Sequence, residues 1–387
     1  MDMRRIWLAI PAALAAAVLT ACGGGGSGTV PAELDFSTTH WKTDFSKHAV
    51  PLTEFASGGP GKDGIPSIDR PRFVDVGAAD RFLTDREPVA AVELAGQAKA
   101  YPIRIMVWHE IVNDTLAGRP IALTYCPLCN STLAFDRRVG ERTLSFGTTG
   151  NLRNSDLVMY DRQGQSWWQQ ITGEAVVGEL AGTMLRVIPS QILSWAQFKR
   201  LHPAGGVLST HTGYDRPYGS NPYAGYDRPN STPFALGGEP DRTLPPKERV
   251  TAVQTGERSA VVYPFSRLER QAPVNDAIPV AAAVGSKAVV VFFDPKVTSP
   301  LDGAEVSLGR EVGTAAVFER QDRGRTLTFA AGPHPGTFRD RETGSTWDMS
   351  GRAVAGPLRG DLLRQVPSDD QFWFALAAFF PHPEIRR

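Results

Sequence analysis

Two of the three cysteines in this 387-residue chain stand three positions apart, Cys126 and Cys129, in LTYCPLCNSTLAFDR at residues 123–137. Thiols so spaced on a proline turn can do four kinds of chemistry. They can grip one metal ion, with the neutral imidazole of His109 as a third ligand, His211 as the next candidate and His202 behind it. Glu110, Tyr125 and Asp114 stand near enough in sequence to hold such ligands in place. They can form a redox couple, although the residues that follow read as strand and supply no helix N-terminus to stabilise a thiolate. They can close a structural disulfide, but so short a loop removes little unfolded-chain entropy and strains the bridge. Lastly, one of them can serve as a nucleophile with His109 as base and Glu110 or Asp114 orienting it. Cys-Cys-His in an oxidising compartment suits copper better than a structural zinc, because soft thiolates favour Cu(I) and imidazole adds affinity for Cu(II).

The N-terminus argues for that compartment. Arg4 and Arg5 precede an apolar run over residues 6–20, the layout of an export signal and too short for a comfortable membrane span. The run ends in LTAC, which looks like the lipobox of bacterial lipoproteins. Residues 1–21 are then a signal peptide, and Cys22 carries a lipid. That chemistry removes the third thiol and leaves a single pair. Gly23 after the cysteine is compatible with the outer membrane if the cell is Gram-negative. The expected location is the bacterial cell envelope, on its extracytoplasmic side. The lipid makes the membrane one partner, and an envelope protein or redox partner is the other candidate. Residues 22–60, opening on GGGGSG, read as a flexible tether.

Forty-one basic residues balance forty-one acidic ones, which leaves no basic footprint for nucleic acid. The 38 glycines and 30 prolines imply many turns between short strands.

The elements that must position the cysteines come in two sets. DRQGQSWWQQITGEAVVGEL at 161–180 is echoed by DRETGSTWDMSGRAVAGPL at 340–358; LRVIPS and LRQVPS follow, then Trp195 and Trp373. Upstream, AYPIRIMVWHEIVND is more weakly echoed by VYPFSRLERQAPVND. Ordered repetition of this kind reads as internal duplication. Unit one falls at 61–203 and a degenerate unit two at 251–387, with a Gly/Pro/Tyr-rich connecting loop at 204–250 that contains GYDRPY and GYDRPN. RPIALTYC, RTLSFGTTG, KAVVVFFDP and RTLTFAAGP read as strands. SQILSWAQFKRLHP and SDDQFWFALAAFFP read as helices starting at Ser190 and Ser368. The fold class is mainly β with short helices, a β-rich α+β protein of two homologous units.

YPIRIMVWHEIVND, TYCPLCNSTLAFDR, SFGTTGNLRNSDLVMYDR, SWWQQITGEAVVG and VLSTHTGYDRPYG together resemble the bacterial and archaeal domain-of-unknown-function family thirty-one seventy-nine. The resemblance implies no established activity. The repeat supplies a control instead: what both copies keep is scaffold, and what one alone keeps is a candidate for function. WHE at 108–110 faces RQA at 270–272, and TYCPLCN faces the cysteine-free FFDPK at 292–296 and its surroundings. His109, Glu110, Cys126 and Cys129 therefore belong to unit one alone. The expected protein is a lipid-anchored envelope protein with a thiol-based metal site, copper binding or handling first, with His109 on a strand beside the cysteines. The alternatives are a non-metal thiol-disulfide oxidoreductase and a non-catalytic scaffold lipoprotein.

Overall fold

The computed structural model describes Leu34 and residues 36–280 and 285–386. The expected signal peptide, the expected lipid attachment at Cys22 and the first part of the expected tether lie outside the described residues. The chain is mostly strand, and its five described α-helices span at most seven residues each. None is long and apolar enough to cross a membrane.

The first half runs β1 (Pro88–Leu94), β2 (Gln97–Pro102), α1 (Ile103–His109), β3 (Ile111–Leu116), β4 (Arg119–Cys126), β5 (Ser131–Asp136), β6 (Phe146–Arg153), β7 (Asp156–Asp161), β8 (Trp167–Gln169), β9 (Ala175–Val177), β10 (Arg186–Ile188), β11 (Gln191–Ser194) and α2 (Trp195–Leu201). The second runs β12 (Arg249–Gly256), β13 (Ser259–Pro264), α3 (Phe265–Gln271), β14 (Val274–Pro279), β15 (Ser286–Asp294), β16 (Thr314–Glu319), β17 (Phe329–Ala331), β18 (Thr337–Asp340), β19 (Thr346–Asp348), β20 (Ala353–Ala355), β21 (Gln365–Val366), β22 (Asp369–Phe372) and α4 (Trp373–Phe379).

Each sheet of the first half has a counterpart in the second. The order β10-β5-β4-β3 is matched by β21-β16-β15-β14, β11-β1-β2 by β22-β12-β13, and β6-β7-β8-β9 by β17-β18-β19-β20. Side-chain contacts repeat as well. Trp168 donates its indole N–H to Asp161 at 3.1 Å, and Trp347 to Asp340 at 2.9 Å. Tyr101 donates to Asp114 and Tyr263 to Asp276, both at 2.7 Å. Asn113 bridges to the backbone of Phe146 as Asn275 does to Phe329. These buried polar groups answer one another because a polar group without a partner in a β core is costly, and they account for the paired sequence motifs as scaffold.

The halves share their cores. One cluster joins Cys126, Cys129, Phe135 and Trp168 to Val262, Phe372, Trp373 and Leu376. Another joins Trp195 and Phe198 to Phe292 and Trp347. Each half also has clusters of its own, around Tyr101 and Tyr125 in the first and around Tyr263 and Phe293 in the second.

Two expectations need correction. The helices begin at Trp195 and Trp373, because Gln191–Ser194 pairs with β1 and Asp369–Phe372 with β12; Ser194, not Ser190, caps α2 with Gln197 completing a capping box. Residues 36–55, expected to belong to the tether, are instead packed against the body of the protein. Phe36, Trp41, Phe45 and Phe55 pack round the fully buried Trp167 with ring centroids 5.0–5.4 Å away. Edge-on and tilted aromatic packing of this kind holds a segment firmly.

Candidate metal centre

The halves differ at two hairpin tips, and in the first half these tips meet. β4 and β5 are closed by the pair Cys126 and Ser131. Four residues, Pro127 to Asn130, make the turn. Proline presets the backbone angle at its start and Asn130, at φ 54°, accepts the left-handed conformation at its end. In the second half the same strand pair closes on Asp294 and Thr314, with residues 295–313 between. The other tip joins β6 to β7 through Asn154 and Ser155, at φ 49° and 70°. Consecutive left-handed residues are the two-residue turn that suits strand twist, and the turn aims the Ser155 carbonyl and the Asp156 carboxylate at the cysteines.

The result is a sealed site. Cys126 and Cys129 are not joined in a disulfide, and Cys126 is 1%, Cys129 0% and Asp156 0% exposed. Their sulfurs lie 3.8 and 3.5 Å from the Ser155 carbonyl oxygen, to which they donate. The two sulfurs and a carboxylate oxygen of Asp156 all fall within 4.8 Å of one another. Asp156 Oδ2 accepts from Gln169 Nε2 at 2.6 Å and from the Ile171 N–H at 3.0 Å, whereas Oδ1 is buried with no partner. Burial pushes the Cys126 and Cys129 thiols up from their ordinary value, and the Asp156 charge adds to it. Burial likewise raises Asp156 to about 6, against hydrogen bonds from Gln169 and Ile171 and the nearby thiols.

Glu110 borders this site. It caps the C-terminus of α1 at φ 57°, and its carbonyl accepts the Tyr125 N–H at 2.8 Å. Burial, then the Asp156 charge, raises its carboxyl to about 8. Tyr125 has a sealed hydroxyl without a partner, and Arg249 is the first charge felt by it.

His109 is not a ligand. It is the last residue of α1 rather than a strand residue, and both ring nitrogens are engaged, Nδ1 with the Pro66 carbonyl at 2.7 Å and Nε2 with the Tyr218 hydroxyl at 2.6 Å. The carbonyl requires a proton on Nδ1, so the neutral ring accepts from Tyr218. Its absence from the second half reflects this local packing, with Tyr214 and Tyr218 against the ring. His211 is exposed and bonded to Ser209, and His202 lies beside Glu93. Asp114 holds Lys99 and Tyr101, a contact whose twin at Asp276 marks it as scaffold. Neither histidine nor Asp114 joins the cysteines.

The connecting loop roofs the site. Tyr223, Tyr226, Leu236 and Leu244 pack on the cluster containing both cysteines, and the Ser155 N–H donates to the Ala235 carbonyl at 3.0 Å. The buried Lys247 sits 3.3 Å from the Tyr226 ring centroid and donates to the Tyr226 carbonyl at 2.7 Å; burial lowers it to about 8. Asp227 receives Arg249, Ser299 and Arg310.

Sequence reasoning missed Asp156, Ser155 and the roof. The available signal was in the repeat: NSD at 154–156 stands at a hairpin tip where the second half has GPHPG at 332–336. Neither a curated protein nor a solved structure matches the chain. The family described as "Protein of unknown function (DUF3179)" matches residues 62–383, most of the chain, and the protein belongs to it.

Proposed function

We propose that Cys126, Cys129 and Asp156 form a thiolate–carboxylate metal centre in a protein held on the outer side of the membrane by a lipid on Cys22. The observation that carries this reading is the convergence of two sulfurs and a carboxylate within 4.8 Å, with Asp156 Oδ1 buried and partnerless. An acidic oxygen so placed is costly unless something satisfies it. A bound cation satisfies it and replaces the thiol protons, since a coordinating thiol is deprotonated.

The redox alternative has less support, because buried thiols held in the protonated form are poor nucleophiles and no partner protein reaches a sealed pair. The donor set also bears on the metal. The expected copper site leaned on an imidazole that is bound elsewhere. Zinc takes Cys sulfur and Asp oxygen together, while copper, the second reading, is favoured by the paired soft sulfurs and by its higher intrinsic affinity.

Protein purified without oxygen should carry about one ion per chain, identified by elemental analysis, with both thiols unreactive until the metal is chelated. Cys126→Ser, Cys129→Ser and Asp156→Asn should each lose that ion, whereas His109→Ala should keep it. A metal-free parent with a reducible Cys126–Cys129 disulfide would sink the proposal, as would full metal retention by Cys126→Ser.

A further inference from the structure

The junction of the halves contains a second site. A cavity of about 30 Å³ lies there, bordered by Pro88, Ile103 and Ile192 of the first half and by their counterparts Arg249, Phe265 and Asp370 of the second. The strand pairing fixes these counterparts: Ser194 opposes Pro88 as Phe372 opposes Arg249, and Ile192 opposes Ala90 as Asp370 opposes Thr251. Ile103 and Phe265 each open the helix that follows. Tyr125 and Thr132, one cross-strand pair of β4 and β5, complete the polar wall.

Four polar side chains thus meet at one space, and each is peculiar to its half. Tyr125 and Thr132 are matched by the apolar pair Phe293 and Ala315, and Arg249 and Asp370 by Pro88 and Ile192. Tyr125 and Thr132 keep 2% and 5% exposure. Tyr125 Oη, Thr132 Oγ1 and Asp370 Oδ1 are buried without a hydrogen-bond partner. Arg249 bonds Asp227 and Ser299 through Nη2, which leaves Nε and Nη1 without an acceptor among the described residues. Buried polar atoms gathered in this way are costly unless an occupant satisfies them.

We infer that this cavity binds a small primary amide, whose carbonyl oxygen accepts from Arg249 and whose N–H donates to Asp370, with the Tyr125 and Thr132 hydroxyls as further partners. One water needs roughly 10–15 Å³ of such space, so the cavity takes a molecule of about three heavy atoms. Its two charges are opposite in sign, which suits a neutral, dipolar occupant: a carboxylate would meet Asp370, and an ammonium would meet Arg249. Burial raises Asp370 to about 6, against the hydrogen bonds it accepts and the Arg249 charge, and so leaves it ionised at neutral pH. Its Oδ2 is fixed by the Thr314 hydroxyl and the Ala315 N–H, both at 3.0 Å, and Oδ1 is the oxygen left for a ligand. Tyr125 and Cys126 are successive residues of β4 and point to opposite faces of the strand, so this site stands or falls separately from the metal centre.

Formamide and formate are of one size and each carries a single C–H proton. Saturation-transfer NMR on that proton, with the full-length protein at neutral pH, should show saturable formamide binding near the ceiling for three heavy atoms, a Kd of about 1 mM, and far weaker formate binding. Tyr125→Phe and Thr132→Ala, which copy the second half, should each weaken formamide about tenfold. Asp370→Asn keeps the contacts of Oδ2 through its own oxygen and turns its amide N–H groups to the cavity, so it should lose formamide and gain formate. A parent without saturable formamide binding at about a hundredfold higher concentration holds water alone, and the inference falls. It falls too if formate binds the parent as well as formamide does, if Asp370→Asn does not reverse the preference, or if both hydroxyl variants bind formamide like the parent.

Discussion

Asp227→Ala should lower the unfolding free energy by about 3–5 kcal/mol, the usual consequence of leaving one member of a buried ion pair alone. Asp227 is 0% exposed, with Arg249 at 3.0 Å, Arg310 at 3.0 Å and the Ser299 hydroxyl at 2.6 Å. Burial pushes its carboxyl up, but the Arg249 charge and the hydrogen bonds from Ser299 and Arg310 carry it below the ordinary value. Without it the Arg249 guanidinium, 8% exposed, keeps only Ser299. The consequence reaches the candidate site, because Asp227 follows Tyr226 in the roof and ties it to residues 299–310 of the second half. The variant should therefore also expose Cys126 and Cys129 to a thiol reagent under conditions where the folded parent reacts slowly. Asp302→Ala removes a more exposed partner of Arg310 and should cost less than about 1 kcal/mol. Equal stability of the two variants, or thiols that stay protected in Asp227→Ala, would show that the roof is held by its apolar contacts instead.

How much of this was legible depended on the distance over which a residue acts. The strand pattern, the repeated motifs and the Pro-Asn turn of the cysteine hairpin are local and could be read directly. The assembly of the site is not local. Asp156 reads as the first residue of a strand after an Asn-Ser turn, and no feature of that stretch says its hairpin tip will meet another 26 residues upstream. His109 misled for a related reason. IMVWHEIV is apolar enough for a strand, but Pro102 starts a seven-residue helix there, and the more polar stretch aligned with it, FSRLERQ, forms the same helix. The aromatic residues at 36–55 have no helical or strand period, since they serve one indole, Trp167, from an irregular segment. Periodicity has nothing to register in such a case.

The comparison of halves worked better as a filter than as a locator. It set aside Asp114 once Asp276 was seen to make the same tyrosine contact, and it retained Cys126, Cys129 and Glu110. It also retained His109, which differs between halves because the connecting loop brings Tyr218 to its ring in the first half. A residue peculiar to one half can thus belong to packing peculiar to that half. Separating the two needs the hydrogen-bond partners: His109 has both nitrogens satisfied, whereas Asp156 Oδ1 has none.

The carboxyls gathered at this junction predict an unusual response to pH. Asp369 accepts from Ser131 Oγ at 2.6 Å and the Thr132 N–H at 2.8 Å, yet burial raises it to about 8, and Glu110 is raised to about 8 as well. A carboxyl whose folded value exceeds its unfolded one binds its proton more tightly in the native state. Its stabilisation is complete below the unfolded value, about 4, and is lost as pH rises through about 8. His109 and His202, both lowered chiefly by burial, act in the opposite direction below their ordinary value near 6.5, and Lys247 does so only above about 8. Between pH 6.5 and 8 the two carboxyls are left to dominate. Each should remove up to about 1.4 kcal/mol of unfolding free energy per pH unit there. Asp369→Asn keeps the geometry, its oxygen accepting from Thr132 and its amide donating to Ser131, while removing the proton equilibrium. Urea denaturation of the metal-free protein at several pH values in that window should show the parent weakening as pH rises and Asp369→Asn losing about half of the slope, with Glu110→Gln removing most of the rest. A parent whose stability is flat or rising from pH 6.5 to 8 would place both carboxyls in the ionised state at neutral pH, and the junction would then need a cation or a buried water to hold them.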